Sequence, residues 1–163
     1  MGSVYKKPVV VLVGKPVLHM EGIESYLRAT GNEDFLQSMA DAAAEGLSDA
    51  EILISMMAKL CYKSLTLGKN ANVSRVRDIK SNIESAIRSE HGSVLEHANF
   101  NFIVRDTSRI QTHEKVRHRA GTAFSQNSGR YIRMDEIDIV CDPILEPVLH
   151  HVQEVIDFLE KKY

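Results

Sequence analysis

A chain of 163 residues with 44% hydrophobic and 26% charged residues is long enough for one globular domain with a real core. Its net charge of -2 argues against a general nucleic-acid binder, which would carry an overall basic domain. No apolar run approaches the roughly 20 residues that span a bilayer. Cys61 and Cys141 form no Cys-x-x-Cys pair and are too few for a zinc site, so a reducing, cytoplasmic setting is the expectation.

Pro8 to Val13 is a continuous, mostly β-branched run closed by Gly14, which predicts a strand buried on both faces. His19 to Arg28 predicts a short helix ending near Gly31-Asn32, and the alanine-rich stretch Glu33 to Glu45 a second, stopped by Gly46. Residues 1–47 form an extended N-terminal portion to which no chemistry attaches. Ser48-Asp49-Ala50-Glu51 is a capping box, with a serine at the helix start and a glutamate three residues on. The helix it opens carries Ile52, Leu53, Met56, Met57 and Leu60 on one stripe, which reads as core packing. At its end, in Cys61-Tyr62-Lys63-Ser64, Cys61 reads as a small buried residue and not as a nucleophile.

Leu67 to Val73 is a polar loop, and Ser74 reads as the cap of a helix with Val76, Ile79, Ile83 and Ile87 at helical spacing, ending around Glu90. Ala98, Phe100, Phe102 and Val104 alternate with Asn99, Asn101 and Ile103, a strand with one apolar face. Asp106-Thr107-Ser108 turns the chain into a further helix. At about 100° per residue, Arg109, His113 and Arg117 fall on one face of it, with Glu114 and His118 further round. A solvated helix face with ordinary charge pairs is the plain alternative for that row.

Positive charge is local, concentrated from Arg105 to Arg133. From Arg117-His118-Arg119 to Ser128-Gly129-Arg130-Tyr131, guanidiniums stand at both ends of a small, polar, glycine-containing loop. A guanidinium is a planar fork suited to phosphate, and serine hydroxyls, side-chain amides and close-approaching glycine backbone orient such a ligand. The residues point to an anion site for a phosphorylated small molecule. Beyond it, Met134 to Val140 reads as an acidic edge strand and Asp142-Pro143 as a helix start. Leu145, Val148, Leu149, Val152, Ile156 and Leu159 then form an amphipathic stripe. His150 and His151, being adjacent, are expected to point in different directions and to make no metal site.

The Arg117-His118-Arg119 and Ser128-Gly129-Arg130-Tyr131 ends resemble the signature of the flavin-dependent thymidylate synthases (ThyX). The resemblance extends upstream through His91-Gly92-Ser93-Val94-Leu95-Glu96-His97, through Asn99 to Val104, and through Ser108 to Val116, covering roughly residues 58–133. It implies an α/β (α+β) fold, a single domain with a small central sheet flanked by helices, in a homotetramer with active sites between subunits. The implied reaction is reductive methylation of dUMP to dTMP, with FAD as cofactor and NADPH and methylenetetrahydrofolate as co-substrates.

For this chain the resemblance implies that Arg117, His118 and Arg119 contact the flavin, with Arg117 also near the nucleotide, and that Ser93 meets the flavin's phosphates or adenosine portion. Gln126 is implied in both sites. Glu114, Lys115, Val116 and Arg117, with Gln126, Asn127, Ser128, Gly129 and Arg130, match the segments that hold dUMP. Glu96 and His97 have a plainer reading in stabilising the turn into the strand, and Tyr131 as core. No base adjoins Ser128, which reads as a binder, and no catalytic residue is assignable.

Three departures stand out. Many members have glutamine at the position of Glu114 and glutamate at that of Gln126, so the acid and the amide are exchanged here. The spacer between Arg119 and Ser128 is one residue longer than usual. The chain stops at Tyr163, before a helical portion that in the family supplies further arginines, an asparagine and a histidine. A fragment, a remainder on another chain, and a non-catalytic nucleotide- or flavin-binding relative are all compatible with that end.

Overall fold

The computed structural model describes residues 7–128, 130–132 and 140–162. They form two compact units, residues 12–101 and residues 1–11 with 102–163. A two-stranded sheet pairs β1 (Val9–Gly14) with β2 (Asn101–Arg105). Helices dominate the rest, so the α/β class with a small sheet is the observed one.

In the unit of residues 12–101, α1 (Met20–Thr30) ends where Gly31 enters the left-handed region at φ 62°, a conformation that glycine adopts without a Cβ clash. Its amide donates back to the Arg28 carbonyl. Next comes α2 (Phe35–Ala44), and Gly46 follows it at φ 89°. Both expected helices are present.

The capping box opens α3 (Asp49–Cys61) with both of its bonds made. The Ser48 amide donates to Glu51 Oε2 at 2.7 Å, and the Glu51 amide donates to Ser48 Oγ at 3.4 Å. The Ser48 amide and the Ser48 hydroxyl, which also donates to Glu51 Oε2 at 2.7 Å, favour the ionised Glu51 and lower its pKa. Ser48→Ala is expected to destabilise the chain by about 1 kcal/mol in urea unfolding, and an unchanged midpoint would contradict a stabilising cap.

Leu27, Phe35 and Met39 pack with Ala42, Ile52, Met56, Leu65 and Ile79 as one core. Residues 1–47 therefore have a structural role: α1 and α2 supply half of these side chains. The buried surface of α3 is also wider than the predicted stripe, taking in Ile54, Ser55, Ala58 and Lys59. Ser55 Oγ donates to Asn82 Oδ1 at 3.0 Å, tying α3 to α4 (Ile79–Arg88). Lys59 is 2% exposed, its ammonium lies 5.8 Å from the centroid of the Phe35 ring, and it donates to the Arg77 carbonyl.

Three expectations for this unit and its strand are corrected. The cap of α4 is Asp78, not Ser74: its carboxylate accepts from the Ser81 amide at 2.8 Å, and the helix begins only at Ile79. An aspartate directly before the first apolar helical residue is the stronger cap. Cys61 is exposed, because α3 ends on it and turns it off the buried side. The run Val10 to Val13 is a strand, but an exposed one, with Val10 at 61%. Among the described residues β1 pairs with β2 alone, and burial on both faces would need packed layers above and below the strand, which side chains exposed to this degree lack. The alternating face of β2 is likewise open, with Phe102 and Val104 exposed.

In the other unit, α5 (Arg109–Lys115) follows β2, capped by Ser108 Oγ, which accepts from the Gln111 amide at 3.2 Å. A 3-10 helix (Pro143–Val148), capped by Asp142, leads into α6 (Leu149–Glu160). Along the predicted stripe Leu149, Val152 and Ile156 are half-buried, while Leu145, Val148 and Leu159 stay exposed. The rings of His150 and His151 do not diverge as expected but sit 3.8 Å apart at 41°. The predicted edge strand from Met134 lies, up to residue 139, outside the described residues. Among the described residues no helix is long and apolar enough to cross a membrane.

Candidate functional site

The candidate residues fall in both units. Ser93 belongs to the unit of residues 12–101, exposed on a 3-10 helix (Gly92–His97) that packs against α3 and α4. Glu96 and His97 lie exposed on the same turn. Glu114 to Tyr131 belong to the other unit, and Gly129 lies outside the described residues.

The helical row is shorter than expected. With Val116 as its C-cap, α5 carries Arg109 and His113 but not Arg117. Seven residues make barely two turns, and a β-branched valine with no further core to pack on does not prolong them. Beyond the helix the Arg-His-Arg run forms consecutive turns. The Arg117 amide donates to the Glu114 carbonyl at 3.3 Å, His118 to Lys115 at 3.0 Å, and Arg119 to the carbonyl of Arg117 at 3.1 Å. Gly121, at φ 67°, takes the left-handed position that lets the chain leave this turn.

The glycine-containing loop then returns to α5. Gln126 Nε2 donates to Thr112 Oγ1 at 2.6 Å, and Arg109 Nη2 donates to the Asn127 carbonyl at 3.1 Å. Both anchors, Arg109 and Thr112, are one helical turn apart, so two consecutive loop residues are fixed to one side of α5. The Ser128 carbonyl accepts from the amides of Tyr131 and Ile132, each at 3.1 Å, and its hydroxyl accepts from the Arg130 amide at 3.3 Å. Arg130 is thereby set at the end of a closed turn. Tyr131 is 90% exposed, which removes its reading as a core residue.

Sequence reasoning named every residue of this loop but missed Thr112, and it saw Arg109 only as part of a charged row. A threonine in mid-helix carries no signal of its own, since its partner lies 14 residues away in sequence.

Arg117, Arg119 and Arg130 are exposed, and among the described residues no carboxylate lies within salt-bridge range of them. Arg105, by contrast, pairs with Asp106 at 3.0 Å. Three guanidiniums without acidic partners, beside hydroxyl and amide groups, make a donor set suited to phosphate oxygens. The exchanged pair behaves differently from a direct acid–amide couple: Gln126 bonds Thr112, while Glu114 uses its backbone carbonyl in the turn.

Comparison with known proteins finds relatives of this chain. A protein named flavin-dependent thymidylate synthase from Geobacter sulfurreducens is 33% identical over 94 residues, covering 58% of this chain and 40% of that one. Its namesake from Corynebacterium glutamicum is 30% identical over 127 residues, covering 69% of this chain and 49% of that protein. Another from Pyrococcus furiosus is 39% identical over 62 residues, covering 38% and 25%. The chain thus spans less than half the length of these curated relatives. No solved structure gives a significant match. The family described as "Thymidylate synthase complementing protein" matches residues 44–163, from the end of α2 through both candidate segments, and the chain belongs to that family.

Proposed function

We propose that the chain takes part in flavin-dependent thymidylate synthesis, the reductive methylation of dUMP to dTMP with methylenetetrahydrofolate, NADPH and FAD. The observation that carries this reading is the loop from Arg117 to Arg130. Its guanidiniums have no acidic partner among the described residues, and the loop is pinned to α5 through the Gln126 side chain and the Asn127 carbonyl. Family membership and the names of the relatives support it.

In this reading Arg130 and the turn of Ser128 and Gly129 grip the nucleotide phosphate, with Glu114, Lys115, Val116, Gln126 and Asn127 around the rest of dUMP. Arg117 serves nucleotide and flavin together, and His118, Arg119, Gln126 and Ser93 contact the flavin. The flavin, when bound, relays hydride from the reduced nicotinamide. The chain's own residues bind anions, orient the ring and hold their hydrogen bonds in a fixed frame, which is the electrostatic share of such catalysis. A single domain with residues 58–133 as its motif-bearing core, a cytoplasmic setting and a homotetramer complete the proposal. The exposed apolar side chains of β1 and β2, such as Val10 and Ile103, support assembly because they are largely accessible in one chain.

The test is to purify the chain, record flavin absorbance and mass by light scattering, and then follow flavin oxidation and dTMP formation with all substrates present. Bound flavin, turnover and a tetrameric mass are expected. Flavin without turnover would replace synthesis by a binding relative. A colourless protein that takes up no FAD would overturn the flavin assignment.

A further inference from the structure

We infer that Thr112 is a positioning residue that fixes the amide of Gln126, so that its carbonyl oxygen is the group offered to a ligand N–H or O–H. The argument rests on proton counting. A threonine hydroxyl has one proton and two lone pairs. Thr112 Oγ1 donates that proton to the Arg109 carbonyl at 3.0 Å, one turn back on α5. It therefore has only acceptor capacity left for Gln126, and the atom it meets at 2.6 Å must be the amide nitrogen. This bond uses one of the two Nε2 protons and fixes which end of the amide faces α5, so Oε1 of the exposed Gln126 side chain points away from Thr112 as its acceptor.

An amide that could otherwise exchange its donor and acceptor ends by a simple flip is locked in one orientation, with Oε1 as its acceptor and one N–H beside it. It then behaves toward a ligand as one oxygen of a carboxylate does. Arg109 reinforces the arrangement by holding the carbonyl of the next residue, Asn127, at 3.1 Å. The inference rests on the proposed function for the identity of the ligand, but the amide lock itself does not.

A double-mutant cycle on the whole chain tests it, with dUMP and FAD each titrated separately. Thr112→Val keeps the branched shape and removes the hydroxyl, Thr112→Ser keeps the hydroxyl, and Gln126→Glu installs two equivalent acceptor oxygens that need no orienting. Thr112→Val is expected to weaken binding of at least one ligand by about fivefold, the loss of one hydrogen-bonded orientation. Thr112→Ser should stay within about twofold of wild type on the same scale. In the Gln126→Glu background the effect of Thr112→Val should shrink to within about twofold, a coupling that a merely structural role would not produce. Equal losses in both backgrounds, or no loss in either, would overturn the inference.

A readout without ligand separates the two proposals. In the isotope-labelled chain, the Gln126 side-chain NH2 signals, identified by their loss in Gln126→Glu, should shift on Thr112→Val and stay in place on Thr112→Ser. If wild type binds neither dUMP nor FAD while those signals shift, the functional reading fails and the lock stands. If they do not shift, the lock fails.

Discussion

Arg130→Ala is expected to weaken dUMP binding by about ten- to a hundredfold while leaving thermal unfolding unchanged. The size follows from losing charge-assisted bonds to a phosphate, which contribute about 1.5–3 kcal/mol each. The unchanged stability follows from position: the side chain is exposed and has no ion-pair partner among the described residues, so its removal orphans nothing. What places Arg130 is backbone, the Ser128 hydroxyl and carbonyl closing the turn around it, and alanine preserves those bonds.

Arg130→Lys should recover only part of the affinity, since it restores the charge but not the two-pronged fork. The affinity left in Arg130→Ala should also fall less steeply with added salt than that of wild type. Arg117→Ala differs in kind, because in the proposed reading it weakens nucleotide and flavin together. Titrations of dUMP and FAD on the two variants decide between these roles. A nucleotide affinity untouched by Arg130→Ala would remove the phosphate from this turn.

The local determinants were legible in the sequence, and the tertiary ones were not. Ser48 and Glu51 encode their cap in four consecutive residues, and Gly31 and Gly46 encode helix ends in one residue each, so these signals survive reading without a partner. The motif ends at Arg117 and Arg130 were likewise visible, because a cluster of cations with few nearby acids is anomalous at the level of composition. Burial was the failure in both directions. A run such as Val10-Val11-Leu12-Val13 states its strand preference but not what will pack on its two faces, and here its side chains stay exposed. Lys59 was missed the other way and drew no reading, since a lysine in the last turn of a helix is ordinarily a solvated charge favoured by the helix dipole. Only the packing of Phe35 and the approach of Arg77 and Asp78, 18 and 19 residues away in sequence by the numbering, bury it. Thr112 was illegible for the same reason as Lys59, since its role exists only through a distant partner.

That buried lysine carries the second large prediction: stability should rise with pH between about 8 and 10.5, and Lys59→Met should abolish the rise. Burial pushes the Lys59 pKa down from 10.5 to about 8; the nearby Asp78 charge pulls it back up in part, and Arg77 lowers it further. Across that window the unfolded chain holds a proton that the folded one has released, so the unfolded state binds more protons and stability increases with pH. Below the window both states are protonated, and the folded chain bears the full desolvation penalty, about 3 kcal/mol for a shift of this size.

Methionine removes the penalty but leaves the Arg77 carbonyl without its ammonium donor, an offset of about 1–2 kcal/mol. Lys59→Met is therefore expected to be more stable than wild type by about 1–2 kcal/mol at pH 7, with the advantage gone near pH 9 and reversed by pH 10.5 as wild type regains about 3 kcal/mol. Urea unfolding of both proteins at pH 7, 8, 9 and 10 measures the difference directly, and subtraction cancels the other lysines and tyrosines. Parallel pH curves for the two proteins would mean that the ammonium is solvated after all. A stability advantage of Lys59→Met over wild type that grows with pH would reverse the sign of the linkage and place the lysine's charge among the forces that hold α3 to the segment before α4.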